Sequence, residues 1–552
     1  MAKNAVKKLK YRAFCAKIQN ICAFALIEKE KDMNIIPKPH KYDKLGGEFT
    51  IGSQTKLFCE EIFAKQAQRF AEMVHESCGF SLTFAENIAD AHIIFNKSDE
   101  CAEEEYTLMI ADGLATVAAA DEKGCFYAVE TLRQLFRLDE KQQNATYNNC
   151  YIEDRPKFAY RGLSVDICRH FFPLATLKQI VELMSRVKLN KLHLHLSDDQ
   201  GFRLEVEKYP LLNSVGSVRS GSEVVENGVR FVDDKPVSGY LTKDEARQLV
   251  AFAAERMVEI IPEIDVPGHA VAMLAGYPQY CCEGSVSEVR KKWGISKDIL
   301  CAGNDETYAF VKDILDEVCE VFPGNYVHLG GDEAPKDRWC NCKKCQEKVA
   351  ELKLKDFEQL QTYMVEQFRK HLGEKGKTVI CWNDGVHGDA SEKIISQHWR
   401  AKIRQGGAKQ ANKGRKTIMS PFFKLYFDYP YALTPLKKTY KFNPLRGVRK
   451  SKRQNVLGVE GTMWTEYVST TEKLFFNLLP RMLALSEVAW GTNTGEFAKR
   501  CNAYTQLYDK MGLTYFKKAT VKVHKRIRIV QRFFRQNPNV ELDEQNKNSE
   551  KQ

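Results

Sequence analysis

A chain of 552 residues, 43% of them hydrophobic and 11% aromatic, is too long for one small domain and long enough for a barrel-sized core with an accessory domain. Its formal charge of +11 sits at the ends: residues 1–32 hold 8 Lys/Arg against 3 acids, residues 515–552 hold 10 against 4, and everything between sums to zero. A folded body without net charge argues against nucleic acid as a partner, and no apolar run approaches the roughly 18 residues of a membrane span.

Basic, solvated tails are expected at 1–32 and 513–552. Within the first, "ICAFALI" follows a basic stretch, but it is short and no small-residue cleavage site comes before "EKEKD", so a secretory leader is not expected. Residues 33–150 read as a small α/β domain. "YTLMIADGLATVAAA" gives two strands around a turn, and Gly124 to Phe136 gives a helix with Phe126, Val129, Leu132, Leu135 and Phe136 on one face. "EDRPKF" then serves as a linker, with Pro156 interrupting regular structure.

Over 155–512 eight short apolar segments recur: 160–167, 191–199, 259–265, 326–333, 378–384, 394–399, 416–423 and 456–464. Helical patterns separate several of them, among them "PLATLKQIVELMSRV" and "TKDEARQLVAFAAERMV", and "EKLFFNLLPRMLALSEVAW" closes the series. Eight strands alternating with helices predict a (β/α)8 barrel whose site lies at the C-terminal ends of the strands.

Polar residues gather where that fold would put a site. The second strand runs into Asp198-Asp199, the third into Glu263, Asp265 and His269, and the fourth into Asp332-Glu333. The fifth ends in Trp382, Asn383 and Asp384, the sixth in His398 and Trp399, and the eighth carries Glu460, Trp464 and Glu466. Carboxylates grip hydroxyls while indole faces cover apolar ring faces, so an acid-rich mouth with tryptophan walls suits a sugar. The adjacent acids of "HLGGDEAP" pose a question of their own, because each disfavours ionisation of its neighbour. Taken singly, His193 and His195 are more simply hydrogen-bonded interior residues, and Arg161 a structural ion-pair partner.

Seventeen cysteines in no small-domain spacing fit a reducing, cytoplasmic setting better than a disulfide scaffold, although Cys282 and Cys301 flank a loop and would be the pair to join in an exported chain. Cys340, Cys342 and Cys345 form a Cys-x-Cys-x-x-Cys run. A structural zinc needs a fourth ligand that nothing nearby in sequence supplies, so reduced surface thiols are the expectation.

With "YRGLSVDICRHF", "KLHLHLSDDQGFRLE", "PEIDVPGHA", "HLGGDEAP", "CWND", the Trp399-Arg400 pair and "GVEGTMWTEYV", residues 35 to 510 resemble the β-N-acetylhexosaminidases of glycoside hydrolase family 20. The resemblance implies an exo-acting, retaining enzyme that needs no metal or other cofactor and takes oligosaccharides or glycoconjugates ending in β-linked N-acetylglucosamine or N-acetylgalactosamine. It implies Glu333 as general acid and Asp332 as the residue that orients the substrate's acetamido group, which acts as nucleophile through an oxazolinium intermediate. By the same likeness Arg161 binds the outer hydroxyls, Trp382, Trp399 and Trp464 wall the acetamido pocket, and Tyr426 and Asp428 hydrogen-bond there. Glu466 binds a hydroxyl, and Asp198, Asp265 and His269 support the acid. Two rival readings are a metal-dependent amidohydrolase using His193 and His195 as ligands, and a carbohydrate-binding relative without catalysis.

Overall fold

The computed structural model describes residues 34–141, 143–226, 229–282, 286–385, 393–400 and 406–517. The "ICAFALI" segment and the tails at 1–32 and beyond 517 therefore lie outside the described residues. The described chain forms two compact units, the first running to Pro156 and the second starting at Lys157.

The first unit is a mixed eight-stranded sheet with two main helices, Ala64–Cys78 and Glu122–Leu135. The predicted hairpin is present as Tyr106–Ala111 paired with Leu114–Ala119. The predicted helix begins where Asp121 accepts a hydrogen bond from the Gly124 N–H, an N-cap that answers one of the donors left free at a helix start. Phe126, Val129 and Leu132 are buried, as their spacing requires, whereas Leu135 and Phe136 stay half-exposed. The sheet carries on beyond the expected limit of 150: Ala145–Asp154 is one continuous strand, pinned at its end by the Tyr106 hydroxyl, 2.9 Å from Asp154 Oδ2.

The second unit is a closed parallel barrel of eight strands: β1 (Tyr160–Asp166), β2 (Lys191–His195), β3 (Glu259–Glu263), β4 (Tyr326–His328), β5 (Thr378–Trp382), β6 (Ile395–His398), β7 (Thr417–Met419) and β8 (Val456–Met463). All eight predicted segments contribute one strand each, and β8 closes on β1 through Gly458 opposite Tyr160. The strands are shorter than their apolar runs. Beyond β2, Ser197–Asp198 turns off to pair with Gly201–Phe202, so Asp198 and Asp199 stand on a small hairpin above the barrel.

Helices α1 (Leu174–Arg186), α2 (Lys243–Ala254), α3 (Asp305–Val321) and α4 (Phe357–Glu374) follow the first four strands. At α2 the sequence "TKDE" supplies a full capping box: Thr242 accepts from the Glu245 N–H, and the Glu245 carboxylate accepts from the Thr242 N–H. The closing helix is two helices, α5 (Thr471–Leu478) and α6 (Arg481–Trp490), because Pro480 has no N–H to continue the ladder.

Period-two alternation builds the barrel interior in layers. Tyr160, Ile261, Ile380, Ile395 and Ile418 form an apolar cluster from five different strands. Two residues further along the strands come Glu263, Trp382 and Gln397, with His193 and Glu460 beside them, all fully or almost fully buried. The interior therefore changes from apolar to polar toward the end where the site is expected.

Candidate active site

The turn after β4 explains how two neighbouring acids can serve one site. Gly330 and Gly331 take positive φ of 59° and 90°, a region open to glycine and costly for other residues. A Cβ on Gly330 would lie 1.9 Å from Asp265 Oδ1, which instead accepts the Gly331 N–H at 2.8 Å. Glu333 itself sits at φ 47° and His269 at φ 51°, non-glycine positions in the left-handed region that the surrounding contacts must hold in place. The kink breaks strand alternation, and both Asp332 and Glu333 line one pocket of about 340 Å³.

A chain of charge supports Asp332. Arg169 Nη2 lies 2.7 Å from Asp198 Oδ2, the same carboxylate lies 2.9 Å from His195 Nε2 and 3.3 Å from His269 Nδ1, and His269 Nε2 faces Asp332 at 3.8 Å. Burial works against the charge on Asp198, but Arg169, His269 and His195 outweigh it and hold the carboxyl well below its usual range. Burial likewise opposes charge on His269, and Asp198 outweighs it, so His269 is held cationic. Asp332 goes the other way: burial, with Asp384 and Glu333 adding repulsion, pushes it up to about 7 against the pull of His269. Asp265 is raised well above the carboxylate range by burial and by Asp332.

The opposite wall is aromatic. The Trp399 and Tyr426 rings lie parallel within 16° at 6.3 Å, and Trp464 sits 6.2 Å from Tyr426. "CWND" positions the first of these: Asp384 accepts the Trp399 indole N–H at 2.8 Å, and Asn383 Oδ1 accepts its backbone N–H at 2.9 Å. Asp428, Tyr429 and Glu466 complete this part of the lining. Burial lifts both carboxyls, Asp428 by way of Glu466 as well, while Arg169 draws Glu466 back. The buried oxygens Asp332 Oδ1 and Asp428 Oδ1 have no hydrogen-bond partner among the described residues.

Two expected site residues stand elsewhere. Arg161 is fully buried, donating to the carbonyls of Lys188 and Phe158 at 2.8 Å each, with its guanidinium over the Trp490 ring. It is the second residue of β1, at the barrel's far end and one step out of phase with inward-facing Tyr160, so it cannot reach a sugar at the mouth. The arginine in the pocket is Arg169, three residues past the end of β1 and stacked over Trp464 at 5.0 Å. Trp382 is 1% exposed and does not line the cavity; its N–H is fixed by Glu263 at 2.8 Å and its ring backs Trp464 at 5.9 Å. The sequence analysis named Arg400 within a motif but gave it no role; its Nη1 lies 3.8 Å from both Glu333 and Asp384 at the open side.

His193 and His195 belong to the barrel's polar core. His193 Nδ1 lies 3.0 Å from Glu460 and its Nε2 3.1 Å from Glu263, and His195 is bonded to Glu263 and Asp198. Glu263 and Glu460, read from sequence as strand-end acids, face these rings inside the barrel and do not line the pocket.

A (β/α)8 barrel with a carboxylate pair on a glycine kink and an aromatic wall opposite defines a glycoside hydrolase. Residues 158–493 match the glycosyl hydrolase family 20 catalytic domain, and residues 32–155 match domain 2 of the same family. The chain belongs to glycosyl hydrolase family 20, and its catalytic domain is of the β-N-acetylhexosaminidase type. It is 33% identical over 515 residues to a beta-hexosaminidase of Porphyromonas gingivalis, covering 88% of this chain and 65% of that protein, so it spans just under two thirds of that relative's length. A beta-hexosaminidase of Akkermansia muciniphila is 34% identical, over 70% of this chain and 79% of the other. Among solved structures, the Vibrio harveyi exo-beta-N-acetylglucosaminidase, crystallised with N-acetylglucosamine, superposes with a TM-score of 0.79 at 25% identity, covering 89% of this chain and 79% of that one.

Proposed function

We propose that the chain is an exo-acting, retaining β-N-acetylhexosaminidase that releases terminal β-linked N-acetylglucosamine or N-acetylgalactosamine by substrate-assisted catalysis. The observation that carries this reading is Asp332: a half-buried carboxylate with one buried, unpartnered oxygen, in a pocket walled by Trp399, Tyr426 and Trp464, beside a second acid at the rim. An acetamido group fits that combination. Its methyl packs on the aromatic wall, its N–H donates to Asp332, and its oxygen is left to attack the anomeric carbon.

In this scheme Arg169 and Glu466 bind the outer hydroxyls, and Asp428, expected at the acetamido pocket, joins them because it lies close enough to Glu466 to be repelled by it. Glu333, with a side chain 23% exposed, donates a proton to the leaving oxygen as the C–O bond breaks, and the acetamido oxygen closes an oxazolinium ring. Asp332, ionised, stabilises that cation. Water then opens the ring at the anomeric carbon, returning a proton to Glu333. A value near 7 for free Asp332 means that the working, ionised form dominates only above neutrality until substrate binds. The acetamido N–H and the developing positive charge both favour ionisation, and cationic His269 assists.

A mutant Streptomyces plicatus beta-hexosaminidase in complex with product GlcNAc, 26% identical with a TM-score of 0.74, supports the substrate assignment. The deciding experiment compares 4-nitrophenyl N-acetyl-β-glucosaminide with the plain β-glucoside. A well-placed intramolecular nucleophile has an effective molarity of about 10⁵ to 10⁸ M, so a loss of at least roughly 10³-fold on the glucoside is expected. Equal rates on the two substrates, or a glycosyl ester trapped on one of the enzyme's own carboxylates, would end the substrate-assisted reading.

A further inference from the structure

Four cysteines from three separate segments of the chain, Cys282, Cys301 and the pair Cys342 and Cys345, bring their sulfurs within 4.8 Å of one another. The closest pairs are Cys301 with Cys345 at 3.7 Å, Cys301 with Cys342 at 3.9 Å and Cys282 with Cys345 at 3.9 Å. A disulfide would hold its sulfurs at about 2.05 Å. Four thiolates arranged tetrahedrally at about 2.3 Å from a zinc ion stand about 3.8 Å apart along each edge, which matches these separations.

The backbone around the cluster is built for such an ion. Cys342-Lys343-Lys344-Cys345 is a Cys-x-x-Cys turn leading into the helix Lys343–Glu351. Cys301-Ala302-Gly303 is a second turn, and the Gly303 N–H donates to the Cys301 sulfur. A Cβ on Gly303 would lie 2.2 Å from the Lys344 carbonyl carbon, so only glycine lets the two turns approach this closely. Cys301, Cys342 and Cys345 are buried, and Cys282 is half-buried. Neighbouring bonds fix the two segments to each other: the Trp339 indole N–H donates to Leu300 O at 2.9 Å, and Arg338 pairs with Asp298 at 2.9 Å. The exposed Cys340, part of the expected trio, is not in the cluster.

We propose that Cys282, Cys301, Cys342 and Cys345 bind one zinc ion as a structural tetrathiolate site. Four protein ligands leave no open position, so the ion takes no part in hydrolysis. It clips the long segment after β3, which begins with Asp265 and His269, to the helices that follow Asp332 and Glu333. Two supports of the pocket are thereby fixed from outside it, since none of the four cysteines lines the cavity.

The test is elemental analysis of the full chain, produced in a reducing cytosol with zinc in the medium and purified without a metal-affinity tag. About one zinc per chain is expected, released as a mercurial titrates four thiols. The double variant Cys342→Ser, Cys345→Ser should lose the metal, and Cys340→Ser should keep it. Should the double variant not fold, zinc content and thiol titration of the parent and of Cys340→Ser still decide. Zinc below about a tenth per chain after incubation of the reduced protein with zinc, iron in its place, or a mass showing disulfides among the four would overturn the proposal.

Discussion

Arg169 and Asp198 form a buried ion pair, 2.7 Å apart, at the edge of the pocket. Each neutralises the other, so the guanidinium can be held in a closed site, where its Nε also donates to Gln200 at 3.1 Å and its Nη1 to Asp166 at 3.4 Å. Removing one partner of a buried pair costs about 3–5 kcal/mol where nothing else answers the charge left behind; here His195 and His269 also face Asp198 and reduce that cost. With Arg169 binding the outer hydroxyls, as proposed, Arg169→Ala should lower kcat/KM by about 10²-fold or more. Arg161→Met should lower the melting temperature and leave KM within about twofold, since Arg161 donates to the Lys188 and Phe158 carbonyls at the barrel's far end and does not line the pocket. Steady-state kinetics and thermal melts of the two variants distinguish the roles; an unchanged KM for Arg169→Ala would return the hydroxyl-binding role to another residue.

Glu333→Gln should slow substrates with poor leaving groups by about 10² to 10⁴, the usual share of general acid catalysis, and activated aryl substrates much less. A series of aryl N-acetyl-β-glucosaminides of graded leaving-group pKa measures this. A loss independent of leaving group would remove Glu333 from the acid role.

Asp332→Asn should nearly abolish turnover while stabilising the fold above neutral pH. The folded carboxyl titrates near 7 and the unfolded one near its ordinary 3.8, so wild type carries an ionisation penalty that is absent below about pH 4, grows between about pH 4 and 7 and is constant above that. The melting temperature of the variant should exceed that of wild type at about pH 8 and converge with it at acid pH, as far as the fold survives there. An amide that melted lower at about pH 8 would show that Asp332 is a structural anchor instead.

The pH profile should carry the same signature. In the free enzyme kcat/KM should fall about tenfold per pH unit below an apparent pKa near 7, as Asp332 takes up its proton. The matching limb in kcat should lie at lower pH, because the bound acetamide favours the carboxylate. Flat kcat/KM between about pH 5 and 8 would contradict this.

How far the sequence could be read depended on how local each signal was. Eight apolar runs and the "GGDE" kink are local, and they were legible down to the two acids. The choice between Arg161 and Arg169 was not settled by a motif containing both, yet the barrel rule held the answer: the first begins a strand and the second follows its end. Trp382 and Trp399 differ in the same way, one the last residue of β5 and inward-facing, the other beyond β6. The cysteine cluster was illegible for a different reason. Cys282 and Cys301 precede Cys342 by more than forty residues, and only the folding of one barrel loop onto the next brings their sulfurs together.

The polar layer inside the barrel makes folding a reaction that consumes protons. Burial opposes charge on His193, but Glu460 and Glu263 outweigh it and lift the ring to about 9, and Glu263 with Asp198 likewise raises His195 against its burial. At pH 7.5 or so, unfolded imidazoles, with values near 6.5, are mostly neutral, so the chain must take up protons as this core closes. The stabilisation they contribute is complete below about pH 6.5 and is lost as pH rises through about 9. The heat of unfolding should accordingly depend on the ionisation enthalpy of the buffer, and mildly acidic refolding should outperform alkaline refolding.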